Sequence, residues 1–106
     1  MKIIKEITEH IEEEMEGICE YIKFGSKVKH EHEYIYDVII TIIPQEIKHI
    51  EMLHEGVVRE INKMREMLKS QGKEIPAYML EMWQEEHEEY VEEMGKIKHK
   101  YEVLKA

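Results

Sequence analysis

Glu46-Ile47-Lys48-His49 sets a carboxylate and an imidazole three residues apart. On a helix that spacing puts both side chains on one face, where they can hold one metal ion together. The pair interrupts an apolar stripe. Ile42, Ile43 and Ile50 lie one turn from Glu46, and Leu53 lies one turn from His49. A carboxylate in such surroundings is costly unless it is paired, and a cation is the usual remedy. Glu14 breaks another stripe in the same way, between Ile11, Ile18 and Tyr21. Glu14, Glu46 and His49 are therefore the candidate metal ligands, and the candidate catalytic residues if the bound metal turns over.

Three helices must position these groups. Ile4, Ile7, Ile11, Met15, Ile18, Tyr21 and Ile22 recur at the three-and-four spacing of one buried face. A second pattern runs from Ile35 through Val38, Ile39, Ile42, Ile43, Ile47, Ile50, Leu53, Val57, Ile61 and Met64 to Leu68, with its stop at Ser70-Gln71-Gly72. The third begins near Pro76, a residue suited to a first helical turn, and continues through Met79, Leu80, Trp83, His87, Tyr90, Met94, Ile97, Tyr101 and Leu104. Pro44 lies inside the second pattern and removes a backbone donor, so a kink or local distortion is expected there.

The first reversal has two candidate positions. Gly25-Ser26 is the stronger local breaker, although a helix tolerates an internal Gly at about 1 kcal/mol. A polar turn around Lys29-His30-Glu31 is the alternative. Glu14 and Glu46 are equidistant from position 30, so a turn there sets them at equal height in an antiparallel hairpin. A turn at Gly25 would offset them by ~15 Å at the helical rise per residue. A shared site requires the later turn.

With both helices drawn, the motifs resemble a known superfamily. Glu14-Met15-Glu16-Gly17-Ile18-Cys19-Glu20-Tyr21 is similar to the Glu-x6-Tyr first-helix signature of bacterioferritins, rubrerythrins and encapsulated ferritins. Glu46-Ile47-Lys48-His49 resembles their second-helix Glu-x-x-His, and the interval between the motifs fits. The resemblance covers about residues 10 to 60. It implies a bridging or terminal ligand at Glu14, a bridging carboxylate at Glu46, a terminal ligand at His49, and at Tyr21 a hydrogen-bonding residue close to the ligands. It also implies a di-iron centre that oxidises Fe(II), with zinc or manganese as other possible occupants.

A di-iron site needs about four carboxylates and two histidines. Full-length ferritin-like chains supply them from a second hairpin, but the third helix here offers only Gln84-x-x-His87 and Lys96-x-x-His99. A two-fold dimer supplies the missing set by symmetry, and the encapsulated ferritins build their site in that manner. The expected architecture is thus all-α: a single domain, residues 1–106, made of an antiparallel ferritin-like hairpin plus a third helix, completing a four-helix or larger bundle as a homodimer or higher homo-oligomer. An encapsulating shell is a further partner that the resemblance implies, and iron storage would require one. The tail Tyr101-Glu102-Val103-Leu104-Lys105-Ala106 carries no clear address for it. Two other functions fit the same residues: a metal-binding protein without turnover, and a helical oligomerisation module whose Glu and His residues are incidental.

The remaining polar residues have plainer roles. Glu51-Met52-Leu53-His54 repeats the Glu-x-x-His spacing, but lies about 140° around the helix from the first pair and cannot share its site. Surface contact is its expected role, with a secondary cation site as the other reading. His87, with Glu86 beside it, fits a hydrogen-bonded core residue better than a ligand. His30, His32 and the run Glu85-Glu86-His87-Glu88-Glu89 read as solvated. Cys19 has no activating neighbour and fits buried packing.

A single cysteine excludes an internal disulfide and suits a reducing, cytoplasmic setting. The opening Met1-Lys2-Ile3-Ile4-Lys5-Glu6 turns polar too soon for a signal peptide. No run approaches the roughly 20 apolar residues of a membrane span. A net charge of −9 with no long basic tract argues against nucleic acid as a partner and suits cations, although acidic surfaces are commonplace.

Overall fold

The computed structural model describes residues 2–106 as three helices: α1 Lys2–Val28, α2 Glu33–Ser70 and α3 Ala77–Lys105. No strand occurs among the described residues. The molecule is a rod of 62 × 18 × 17 Å. No helix is long and apolar enough to cross a membrane.

The first reversal falls at residues 29–31, and α1 runs through Gly25 without a break. Gly25 is there for packing. A Cβ built on it would stand 3.0 Å from Leu104 Cδ2 and 3.2 Å from Ile39 Cγ2, so the missing side chain lets α2 and the end of α3 close on α1. Gly25→Ala should change stability little: the propensity gain of about 1 kcal/mol is offset by a shift of the Leu104 side chain. Gly25→Leu should overpack the junction and cost about 1–3 kcal/mol. Urea unfolding of both variants checks the contrast, and equal stabilities would mean that the junction is not close-packed.

The second reversal follows the sequence closely. Gly72 has φ +69°; Lys73 N donates to Leu68 O (2.8 Å) and Gly72 N to Lys69 O (3.0 Å), the paired bonds of a Schellman ending. Pro76 stands just before α3 rather than inside its first turn, and its carbonyl accepts from Met79 N and Leu80 N.

α3 returns antiparallel to α2. Contacts from Tyr36 to Leu104, Ile40 to Tyr101 and His54 to His87 advance along α2 while retreating along α3. Tyr36 Oη and Lys29 Nζ both donate to Leu104 O, at 3.0 and 2.8 Å, meeting carbonyls that a helix C-terminus leaves unpaired and placing a cation at its negative end. At Pro44, α2 continues as helix. Proline cannot donate to the carbonyl of Ile40, one turn back, and Tyr101 Oη donates to it instead (3.1 Å).

The main core unites Ile11, Ile18 and Ile22 of α1, Ile39, Ile43, Ile47 and Ile50 of α2, and Met94, Ile97 and Leu104 of α3. Each such side chain contributes about 1.5–3 kcal/mol by leaving water. α2 has 38 residues against 27 in α1, and its surplus length needs its own cover. Ile4, Ile75, Met79 and Trp83 form that second cluster with Val57, Ile61, Met64 and Leu68.

Candidate metal centre

The later turn puts Glu14 and Glu46 at one level, and His49 follows one turn along α2. One ligand atom from each of Glu14, Glu46 and His49 lies within 4.8 Å of the others. His49 Nδ1 is 3.7 Å from Glu46 Oε1. Both glutamates are partly buried, whereas the His49 side chain is 58% exposed, so the cluster opens to solvent through the imidazole. No other such group of three His, Cys, Asp or Glu side chains occurs among the described residues.

Two carboxyl groups this close resist simultaneous ionisation. A shared hydrogen bond with Glu46, then partial burial and the Glu46 charge, raise the Glu14 pKa above its ordinary 4.5, while His49 and His10 act in the opposite sense. All of these neighbours belong to α1 or α2, and none to α3. A divalent cation would offset the repulsion between the two carboxylates, and three donors of this kind, two hard oxygens and one nitrogen, suit iron, manganese or zinc.

The sign of the pH effect follows. Glu14 favours the folded state below about pH 4.5, and that preference is lost as pH rises through the raised value. At neutral pH the two carboxylates repel. Metal-free Glu46→Gln should therefore be more stable than the parent at pH 7 by about 0.5 kcal/mol, or a Tm rise of roughly 2–4 °C, with no gain at about pH 4. A thermal scan at both pH values measures this, and an equal gain at both would assign it to something other than the carboxylate pair.

The cluster lies on the side of the hairpin away from α3. The α3-facing residues of α2 include Tyr36, Ile40 and His54, which lie roughly 80° or more around the helix from Glu46 at 100° per residue. On the cluster's own side several apolar groups are bare: Tyr21 and Phe24 of α1, 38% and 48% exposed, and Ile35 and Val38 of α2, 41% and 38% exposed. Tyr21 was expected to hydrogen-bond near the ligands. It shares Glu14's side of α1, but its hydroxyl forms no hydrogen bond among the described residues.

The other polar residues are placed as follows. Glu51 lies 3.8 Å from Lys98, on another side of α2 from Glu46. His54 is not a plain surface residue: it is partly buried, hydrogen-bonded to His87 and stacked on Tyr90. His87, expected as a hydrogen-bonded core residue, has the bond but is exposed. Glu86 is partly buried; burial, followed by the charges of Glu12 and Glu89, raises its pKa. His30 and His32 are exposed. Cys19 is partly buried against the main core. Sequence reasoning missed the His54–His87–Tyr90 group because it depends on the register of α3 against α2, which no local motif encodes.

Comparison with family models, curated proteins and solved structures yields no match.

Proposed function

We propose that this chain binds Fe(II) and oxidises it, at a di-iron carboxylate site that two copies complete together. The observation that carries the reading is the convergence of Glu14, Glu46 and His49 on a hairpin face that α3 leaves uncovered. Each chain offers two carboxylates and one imidazole, and a two-fold pair of hairpins doubles this to the four carboxylates and two histidines of a ferritin-like centre. The bare Tyr21, Phe24, Ile35 and Val38 near the ligands give the pairing an apolar seam. Gly17, three residues from Glu14, and Gly56, seven from His49, have nothing within 4 Å of a built Cβ. They cost each helix about 1 kcal/mol with no packing need inside the chain, and a second helix could use the space.

Iron is the substrate here: each Fe(II) gives up one electron, with dioxygen as the acceptor. Glu14 and Glu46 neutralise the charge of the ions and favour the ferric product through hard oxygen donors. A bound cation offsets the mutual repulsion of the two carboxylates. His49, on the solvent side, provides a neutral nitrogen donor and the route of entry.

The test is an anaerobic Fe(II) titration followed by air. Uptake of about one Fe(II) per chain, then oxygen consumption in step with ferric absorbance, is the expected result. Binding without oxygen consumption would favour a metal-binding protein without turnover, a reading that the three-donor set of a single chain also supports. No binding would remove both.

A further inference from the structure

A second group of side chains lies on the other side of α2. His54 Nε2 and His87 Nδ1 meet at 3.2 Å across the α2–α3 seam. The His54 ring is stacked on Tyr90 with centroids 3.9 Å apart and planes 4° from parallel, so its direction is fixed by packing. His87 is exposed, so its ring can turn without displacing core side chains. The pair stands at the edge of a pocket of about 290 Å³ that Ile11, Val57, Ile61, Trp83 and Glu86 also line.

We propose that His54 and His87 form a second metal site, selective for a borderline divalent cation such as Zn(II), that clamps α3 to α2. The distance suits this. A tetrahedral ion with ordinary metal–imidazole bonds holds two ligand nitrogens roughly 3.3–3.4 Å apart, close to the separation already present. The hydrogen bond uses one N–H and one lone pair; moving that proton to the other nitrogen of the same ring, with a modest rotation of His87, turns both lone pairs toward a common point. Water completes the coordination shell.

The chemistry differs from that of the carboxylate cluster. Two neutral imidazoles with no carboxylate between them favour zinc, nickel or copper over iron(III) or manganese. Burial, and secondarily His87, lowers the pKa of His54, so its nitrogen is available as a lone pair at neutral pH. The charge of Glu55 acts on His54 in the opposite sense to burial, so a carboxylate lies close enough to favour a cation at the imidazole. Nothing in this site uses Glu14, Glu46 or His49, and it stands whether or not those residues bind iron.

The experiment uses a full-length background in which Glu14→Gln, Glu46→Gln and His49→Gln remove the first cluster. Zn(II) is titrated calorimetrically and its effect on Tm is measured. The expected result is a saturable site in this background and a Zn(II)-dependent rise in Tm, because a ligand bound across two helices stabilises the folded state. Adding His87→Ala should weaken that binding at least tenfold and abolish the Tm rise; His99→Gln should change neither. Because His87 is exposed, its loss should leave the fold intact, as circular dichroism would verify. His54→Gln should match His87→Ala if it folds. Absence of Zn(II) binding in the background, or binding and Tm rise that survive His87→Ala, would overturn the proposal.

Discussion

Glu46→Ala and His49→Ala are each expected to lower the rate of Fe(II) oxidation by about 100-fold or more. Loss of a group that merely supports a metal ligand costs about 10–100-fold, so loss of a ligand sets the upper figure as a floor. Glu51→Ala and His54→Ala should retain most of the rate, because Glu51 and His54 lie on other sides of α2 and engage Lys98, Tyr90 and His87 instead. Neither Glu46 nor His49 is buried in the core, so both variants should keep the parent's helix content. Stopped-flow absorbance after mixing Fe(II) protein with aerated buffer gives the rates. Equal losses from the two Glu-x-x-His pairs would place the chemistry elsewhere.

The second expected result is a large shift in self-association. If two hairpins complete one site, metal binds the pair in preference to the single chain, and mass action then tightens the pair. At a free metal concentration 100 times the dissociation constant the linkage is worth about 2.7 kcal/mol, or about 100-fold in the association constant. Sedimentation velocity across a range of protein concentrations, first with chelator and then with Mn(II), should show the dimer fraction rising with metal. Val38→Asp and Phe24→Asp supply the decisive control. Both positions are exposed in the single chain, 38% and 48%, so either change should spare the fold while placing a charge in the proposed seam. Association and iron oxidation should then disappear together, although every ligand is intact. A monomeric Val38→Asp protein that oxidised Fe(II) at the parental rate would defeat the shared-site reading.

The three helices and their apolar faces were legible because residue spacing reports directly on burial. Ile11, Ile18, Ile39, Ile43 and Ile50 all occupy the core that their periodicity assigned them. The first turn was legible only through chemistry. Gly25-Ser26 is the stronger local breaker but propensity leaves the position open, whereas the matched heights of Glu14 and Glu46 favour residues near 30, and the chain reverses at 29–31. Gly25 misleads a local reading because its role is set by Leu104 and Ile39, distant in sequence. Periodicity was also too generous to Tyr21, Ile35 and Val38, which share the side of the hairpin that no third helix covers. The His54–His87 contact spans 33 residues, and its existence depends on how the second reversal sets α3 against α2.

The bond from Tyr101 to Ile40 links two positions 61 residues apart in the chain. Pro44 creates the need for it by leaving the Ile40 carbonyl without its helical donor. The effects of substitutions at the two positions are therefore not additive. Tyr101→Phe should cost about 1 kcal/mol while Pro44 is present, since a partly buried acceptor then loses its partner. In a Pro44→Ala background the backbone N–H returns, the hydroxyl becomes redundant, and the same change should cost little. Natural selection would meet the same coupling, so in diverging descendants a proline at 44 and a hydroxyl at 101 should tend to be lost or kept as a pair.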